Sequence, residues 1–131
     1  MKIRGLDGKE YVLDLRPNKN KLKDKEICRS NIQYECGQLL KQRFPYDTIL
    51  EEVHLPGSNN LYLDFLLPTR KLAFEIHGKQ HDEFVPFFHN SRKEFHASQG
   101  RDINKEKWCI LNNIELYVIR SITELNQLLY E

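Results

Sequence analysis

Asp64 interrupts the apolar run Leu61-Tyr62-Leu63-Asp64-Phe65-Leu66-Leu67, and Glu75 interrupts Leu72-Ala73-Phe74-Glu75-Ile76. A carboxylate inside such a strand is costly unless it is paired or bound to a metal. The two runs are separated by Pro68-Thr69-Arg70, so they read as a hairpin that can bring both acids to one face of a sheet. Hard oxygen ligands of this kind, completed by water and a phosphate oxygen, suit Mg²⁺, with Mn²⁺ as a substitute. A cation held there polarises a phosphoryl oxygen and generates hydroxide. The alternative is a pair of edge-strand acids facing solvent, but the flanking apolar runs are those of central strands.

Further candidates follow in the chain. His77-Gly78-Lys79-Gln80-His81 has two histidines at the spacing of a zinc-protease helix. It lacks the intervening glutamate, and Gly78 follows a strand, so a shared helical face is not expected. A free imidazole, with a pKa of about 6.5, suits a general base or acid. Asp102 and Lys105 lie one helical turn apart and share a face. Asp102 otherwise reads as a surface ion-pair partner, Glu35 as an ordinary exposed helix residue and His77 as a satisfied sheet histidine.

The ordered set from Ser30 to Arg120 resembles the PD-(D/E)XK nuclease superfamily, in the branch of the very-short-patch repair endonucleases and related phage homing endonucleases. The resemblance implies a restriction-endonuclease-like α/β core and a Mg²⁺-dependent endodeoxyribonuclease. Asp64 would ligate the metal with the Ile76 carbonyl as second ligand, and Glu75 would join that shell or contact it through water. The superfamily usually places lysine two residues after the second acid, where this chain has His77; Lys105 is the candidate replacement. The repair-like branch uses a helix glutamate, the strand aspartate, a histidine after the glycine and a following helix aspartate. Those positions resemble Glu35, Asp64, His81 and Asp102. His81 would act as base or acid with Asp102 orienting it, Glu35 would bind a metal-bound water, and Gln80 would bond a phosphate or the attacking water.

The elements that must position these groups are legible as well. Met1–Arg4 and Glu10–Leu15 read as strands around an Asp7-Gly8 turn, followed by a polar loop from Arg16 to Lys25. Lys19, Lys21 and Lys23 of that loop are candidate phosphate contacts, as are Arg92, Lys93 and Arg101 later; a solvated connector is the alternative. Ser30 caps a helix to about Phe44, with Ile32, Cys36, Leu39, Leu40 and Phe44 on one face, and Pro45 stops it. Strands are expected over Ile49–Leu55, Leu61–Leu67, Leu72–His77 and Ile114–Arg120. A helix is expected from Ser91 to Leu111, loosened at Gly100, with Trp108 in the core. A last short helix opens at the capping-box pair Ser121 and Glu124. Between them, Phe84-Val85-Pro86-Phe87-Phe88-His89 either packs over the sheet or wedges between bases. His89 and His96 read as packing or DNA-proximal residues, and His54 has no assigned role. The order describes one α/β domain over 1–131, a mixed sheet flanked by helices, with 1–25 as hairpin and basic loop and 30–120 as the catalytic core.

Composition bounds the function. With 131 residues, 40% hydrophobic and 30% charged, the chain is neither disordered nor low-complexity. Its apolar runs are far shorter than the roughly 20 residues of a membrane helix, and no signal-peptide core follows Met1. Cys28, Cys36 and Cys109 form no Cys-x-x-Cys pair, which argues for reduced thiols in a cytoplasmic setting, a bacterial or phage-infected cell. The net charge of +1 is low for a DNA-binding protein. It fits an acidic pocket rimmed by basic flanks, with a metal offsetting the pocket. It also keeps open a non-catalytic nucleic-acid-binding derivative, or a small interaction domain with structural acids. A chain this short leaves nicking, dimerisation or a separate recognition partner open.

Overall fold

The structure is a computed structural model describing residues 1–15, 21–28, 30–77 and 92–130, with only the backbone described over 92–101. Strands β1 (Lys2–Arg4) and β2 (Glu10–Val12) form an antiparallel ribbon whose turn uses Gly8 at φ 82°. β2 stops at Val12 rather than the expected Leu15. Its outermost pair is Lys2 with Val12, and the Leu13 N–H donates to the Met1 carbonyl at 2.8 Å.

Helix α1 spans Asn31–Arg43, with the Ser30 side chain accepting from the Gln33 N–H at 3.1 Å as N-cap. It ends at Phe44, before Pro45. Cys36, Leu40 and Phe44 are buried, and Ile32 and Leu39 flank them half-buried. Strands β3 (Leu50–Leu55), β4 (Leu61–Leu67) and β5 (Leu72–Ile76) follow, then helix α2 (Arg92–Leu111), strand β6 (Glu115–Ile119) and helix α3 (Ile122–Tyr130). β5 closes one residue short of the expected His77, although the His77 N–H still donates to the Ile119 carbonyl at 2.8 Å. α2 runs through Gly100 without a break.

The four long strands make one mixed sheet in the order β3-β4-β5-β6, antiparallel except for the parallel pair β5-β6. Both acid-bearing strands are therefore central. One core joins Trp108 and Cys109 of α2 to Ile3 and Leu13 of the ribbon through Leu50, Leu63 and Leu66. The other joins Cys36, Leu40 and Phe44 of α1 to Leu125 and Leu129 of α3 through Phe65 and Phe74. The ribbon is locked down by Gly5 and Gly57. A Cβ on Gly57 would lie 2.6 Å from the Gly5 Cα, and the Leu6 N–H reaches the Gly57 carbonyl at 2.8 Å.

β3 departs from simple alternation. Glu52 has φ 54°, and Leu50 and Val53, three residues apart, enter the same core. The register flanks this position with Glu51 opposite Phe65 and Val53 opposite Leu63, so the kink lies opposite Asp64.

Candidate active site

The β4–β5 backbone pairing runs through Leu67 with Leu72, Leu66 with Ala73 and Phe65 with Phe74. At the next position the carboxylates take over. The Asp64 N–H donates to Glu75 Oε1 at 3.0 Å, and the Ile76 N–H donates to Asp64 Oδ2 at 2.7 Å. Each acid thus satisfies a backbone donor of the opposite strand, which explains how both stay buried at 8% exposure. Glu75 faces α2, where Lys105 Nζ donates to its Oε2 at 3.2 Å.

Burial pushes the Glu75 carboxyl up to about 7, the Asp64 charge adds to that, and Lys105 opposes it. Two thiols mark the two sides of the acid pair. Cys36 of α1 is pushed up to about 12, first by burial and then by the charges of Asp64 and Glu35. Cys109 of α2 is pushed up to about 12 by burial, then by Glu75 and Glu106, against Lys105. Both are free, buried thiols and poor nucleophiles, as the spacing of the cysteines suggested.

α2 presents Asp102 and Lys105 to β5. His77 Nε2 lies 3.1 Å from Asp102 Oδ2, so Asp102 orients His77; His81, which the resemblance pairs with Asp102, lies outside the described residues. A cleft of about 300 Å³ opens here, lined in part by Glu75, His77, Asp102 and Lys105. Glu35 is exposed on α1, outside this hydrogen-bonded group although its charge reaches Cys36. Lys21 is exposed, and Lys23 is half-buried and pairs with Glu52. Gln80, His81, Lys19, the 84–89 aromatic segment and His89 lie outside the described residues, as do the side chains of Arg92, Lys93, His96 and Arg101.

Sequence reasoning missed Glu51. It is 2% exposed and accepts from the Lys23 N–H at 3.0 Å, Cys28 Sγ at 3.3 Å and Gln33 Nε2 at 2.8 Å, clasping the 21–28 segment to the sheet. The signal was present in Leu50-Glu51-Glu52-Val53, where two adjacent acids cannot both face solvent from one strand.

Among the described residues no three His, Cys, Asp or Glu side chains cluster as a metal site. The donors that do converge are the Asp64 and Glu75 carboxylates beside the Ile76 backbone, all oxygen if the Ile76 carbonyl joins them. This set fits a hard divalent cation that keeps several waters. The mutual repulsion that raises Glu75 is what such a cation would relieve.

No protein-family model and no solved structure matches the chain. It is 33% identical over 124 residues to Uncharacterized protein 307L of Invertebrate iridescent virus 6, covering 81% of this chain and 63% of that protein. It is also 36% identical over 70 residues to Uncharacterized protein 033L of Invertebrate iridescent virus 3, covering 53% of this chain and 36% of that protein. The chain therefore spans less than two thirds of either viral relative.

Proposed function

We propose that the chain is a metal-dependent endodeoxyribonuclease, hydrolysing a DNA phosphodiester where β4, β5 and α2 meet. The observation that carries this reading is the convergence of Asp64 and Glu75 across two central strands, beside Ile76 and under Lys105. The restriction-endonuclease-like core belongs to the same reading, supported by a mixed sheet with helices packed on both faces.

Asp64, Glu75 and the Ile76 carbonyl would hold Mg²⁺ or Mn²⁺, which when bound supplies Lewis-acid polarisation of a phosphoryl oxygen. Lys105 acts in place of the strand lysine that His77 displaces. By lowering the proton affinity of Glu75 it favours the charged, ligating carboxylate, and its ammonium stands ready for charge developing on the phosphate. Asp102 Oδ2, 3.1 Å from His77 Nε2, holds the imidazole in the lining of the same cleft.

The test is incubation with supercoiled plasmid, branched DNA and single-stranded DNA in Mg²⁺ or Mn²⁺, beside Asp64→Ala. Nicked or linear product from wild type alone is expected. No product from any form, or equal cutting by Asp64→Ala, would overturn the assignment. A non-catalytic nucleic-acid-binding derivative is favoured by one observation, that both acids already satisfy backbone N–H groups without a metal. Calorimetric titration with Mg²⁺ separates the two, because only the enzyme reading requires binding heat that Asp64→Ala abolishes. Among the described residues no helix is long and apolar enough to cross a membrane. The two viral relatives support a viral nuclease acting on DNA inside an infected cell.

A further inference from the structure

The cleft beside Glu75 is lined by β5, α2 and β6, and its lining mixes charged with apolar side chains. Lys105 and Arg120 are its cations, Glu75, Asp102 and Glu106 its acids, and Leu116 and Val118 of β6 with Ile103 of α2 its apolar wall. We propose that this cleft seats the nucleoside of one unpaired nucleotide next to the scissile phosphate. The substrate is then DNA with an extrahelical or single-stranded nucleotide, rather than continuous duplex. The inference rests on the hydrolytic reading above and adds its substrate class.

Three observations lead there. The volume, about 300 Å³, is at the lower end of small-molecule pockets, room for a nucleoside and not for a double helix. An apolar wall beside both carboxylate acceptors and cations matches a flat base that carries N–H donors and is joined through its sugar to a phosphate. The cleft also opens on Glu75 itself, where the parallel strands β5 and β6 end, the side of an open α/β sheet on which ligands bind. A group seated in it is therefore within one linkage of the reacting phosphate. A base that is stacked and paired reaches such a site only by eversion, which is costly in duplex and cheap for a base already unpaired.

The experiment compares three duplexes: fully paired, carrying one unpaired nucleotide, and carrying an abasic residue at that unpaired position. Wild type should cut the bulged duplex roughly tenfold or more faster than the paired one, and the abasic version should lose most of that gain. Val118 is 37% exposed, so Val118→Trp can fill the cleft from the surface and should bring the bulged rate down toward the duplex rate. Tyr46→Ala, at a residue 99% exposed and remote from the cleft lining, should keep the preference. Equal rates on bulged and paired DNA overturn the cleft assignment and leave hydrolysis standing. An abasic bulge cut as fast as the full one does the same. A 2-aminopurine at the unpaired position gives a readout independent of cutting. If nothing is cut but its fluorescence responds to wild type and not to Val118→Trp, the cleft assignment stands and hydrolysis falls. If there is neither cutting nor response, both fall.

Discussion

Replacing Glu75 by glutamine should change how stability depends on pH more than it changes stability at any one pH. The Glu75 carboxyl is pushed from an ordinary 4.5 up to about 7, mainly by burial and then by Asp64. The folded state therefore binds more protons than the unfolded state between those values, so wild type loses stability as pH rises through that window. A tenfold change in proton affinity is worth about 1.4 kcal/mol, so the full swing is on the order of 3 kcal/mol, shared with Asp64 as a coupled pair. The substituted amide keeps an acceptor for the Asp64 N–H and cannot titrate. The ion pair with Lys105 exists only while Glu75 is ionised, and the value of about 7 already includes its opposing effect. Urea unfolding followed by circular dichroism at pH 4.5, 6 and 8 would give the curves, on the linear relation between stability and denaturant. Glu75→Gln should gain on wild type by about 2–3 kcal/mol between the lowest and highest pH. Parallel stability curves for the two proteins would refute the claim that Glu75 is buried beside a like charge.

Lys105→Met removes the cation that lowers Glu75, so the pH–rate profile should move to higher pH and cleavage at neutral pH should fall by roughly 10²-fold, read by plasmid nicking across pH. Glu51→Ala leaves the Gln33 amide and Lys23 N–H without their carboxylate. It should cost about 2–4 kcal/mol and make the 21–28 segment the first site of limited proteolysis. Gly57→Ala places a methyl 2.6 Å from the Gly5 Cα at φ 71°. A loss of about 2 kcal/mol or more is expected in thermal unfolding, with the ribbon released from the sheet.

The sequence was enough to place every long element, because each is written in local terms. Alternating and helical apolar spacing, the Ser30 cap, Pro45 and the turn residues at Pro56 and Pro68 act within a few residues of one another. It also picked out Asp64 and Glu75, since an acid inside an apolar strand is conspicuous without knowing its neighbours. It overran β2 by three residues and β5 by one, because strand ends depend on which backbone groups the partner strand offers.

What tertiary structure decided was partnership. His77 with Asp102 and Lys105 with Glu75 join residues 25 and 30 positions apart, and only the crossover that lays α2 over β5 selects those pairs. Lys23 was paired with Glu52, 29 positions away, and Glu51 became a buried clasp. The kink at Glu52 was hidden for the same reason. A left-handed residue in a strand is tolerated only when neighbours on both sides of the sheet hold it, and nothing in Leu50-Glu51-Glu52-Val53 records those neighbours. The residue types that carry the chemistry were fixed in one dimension by hydrophobic pattern. Their pairing and their shifted proton affinities arose in three, where burial and opposite charge act between groups distant along the chain.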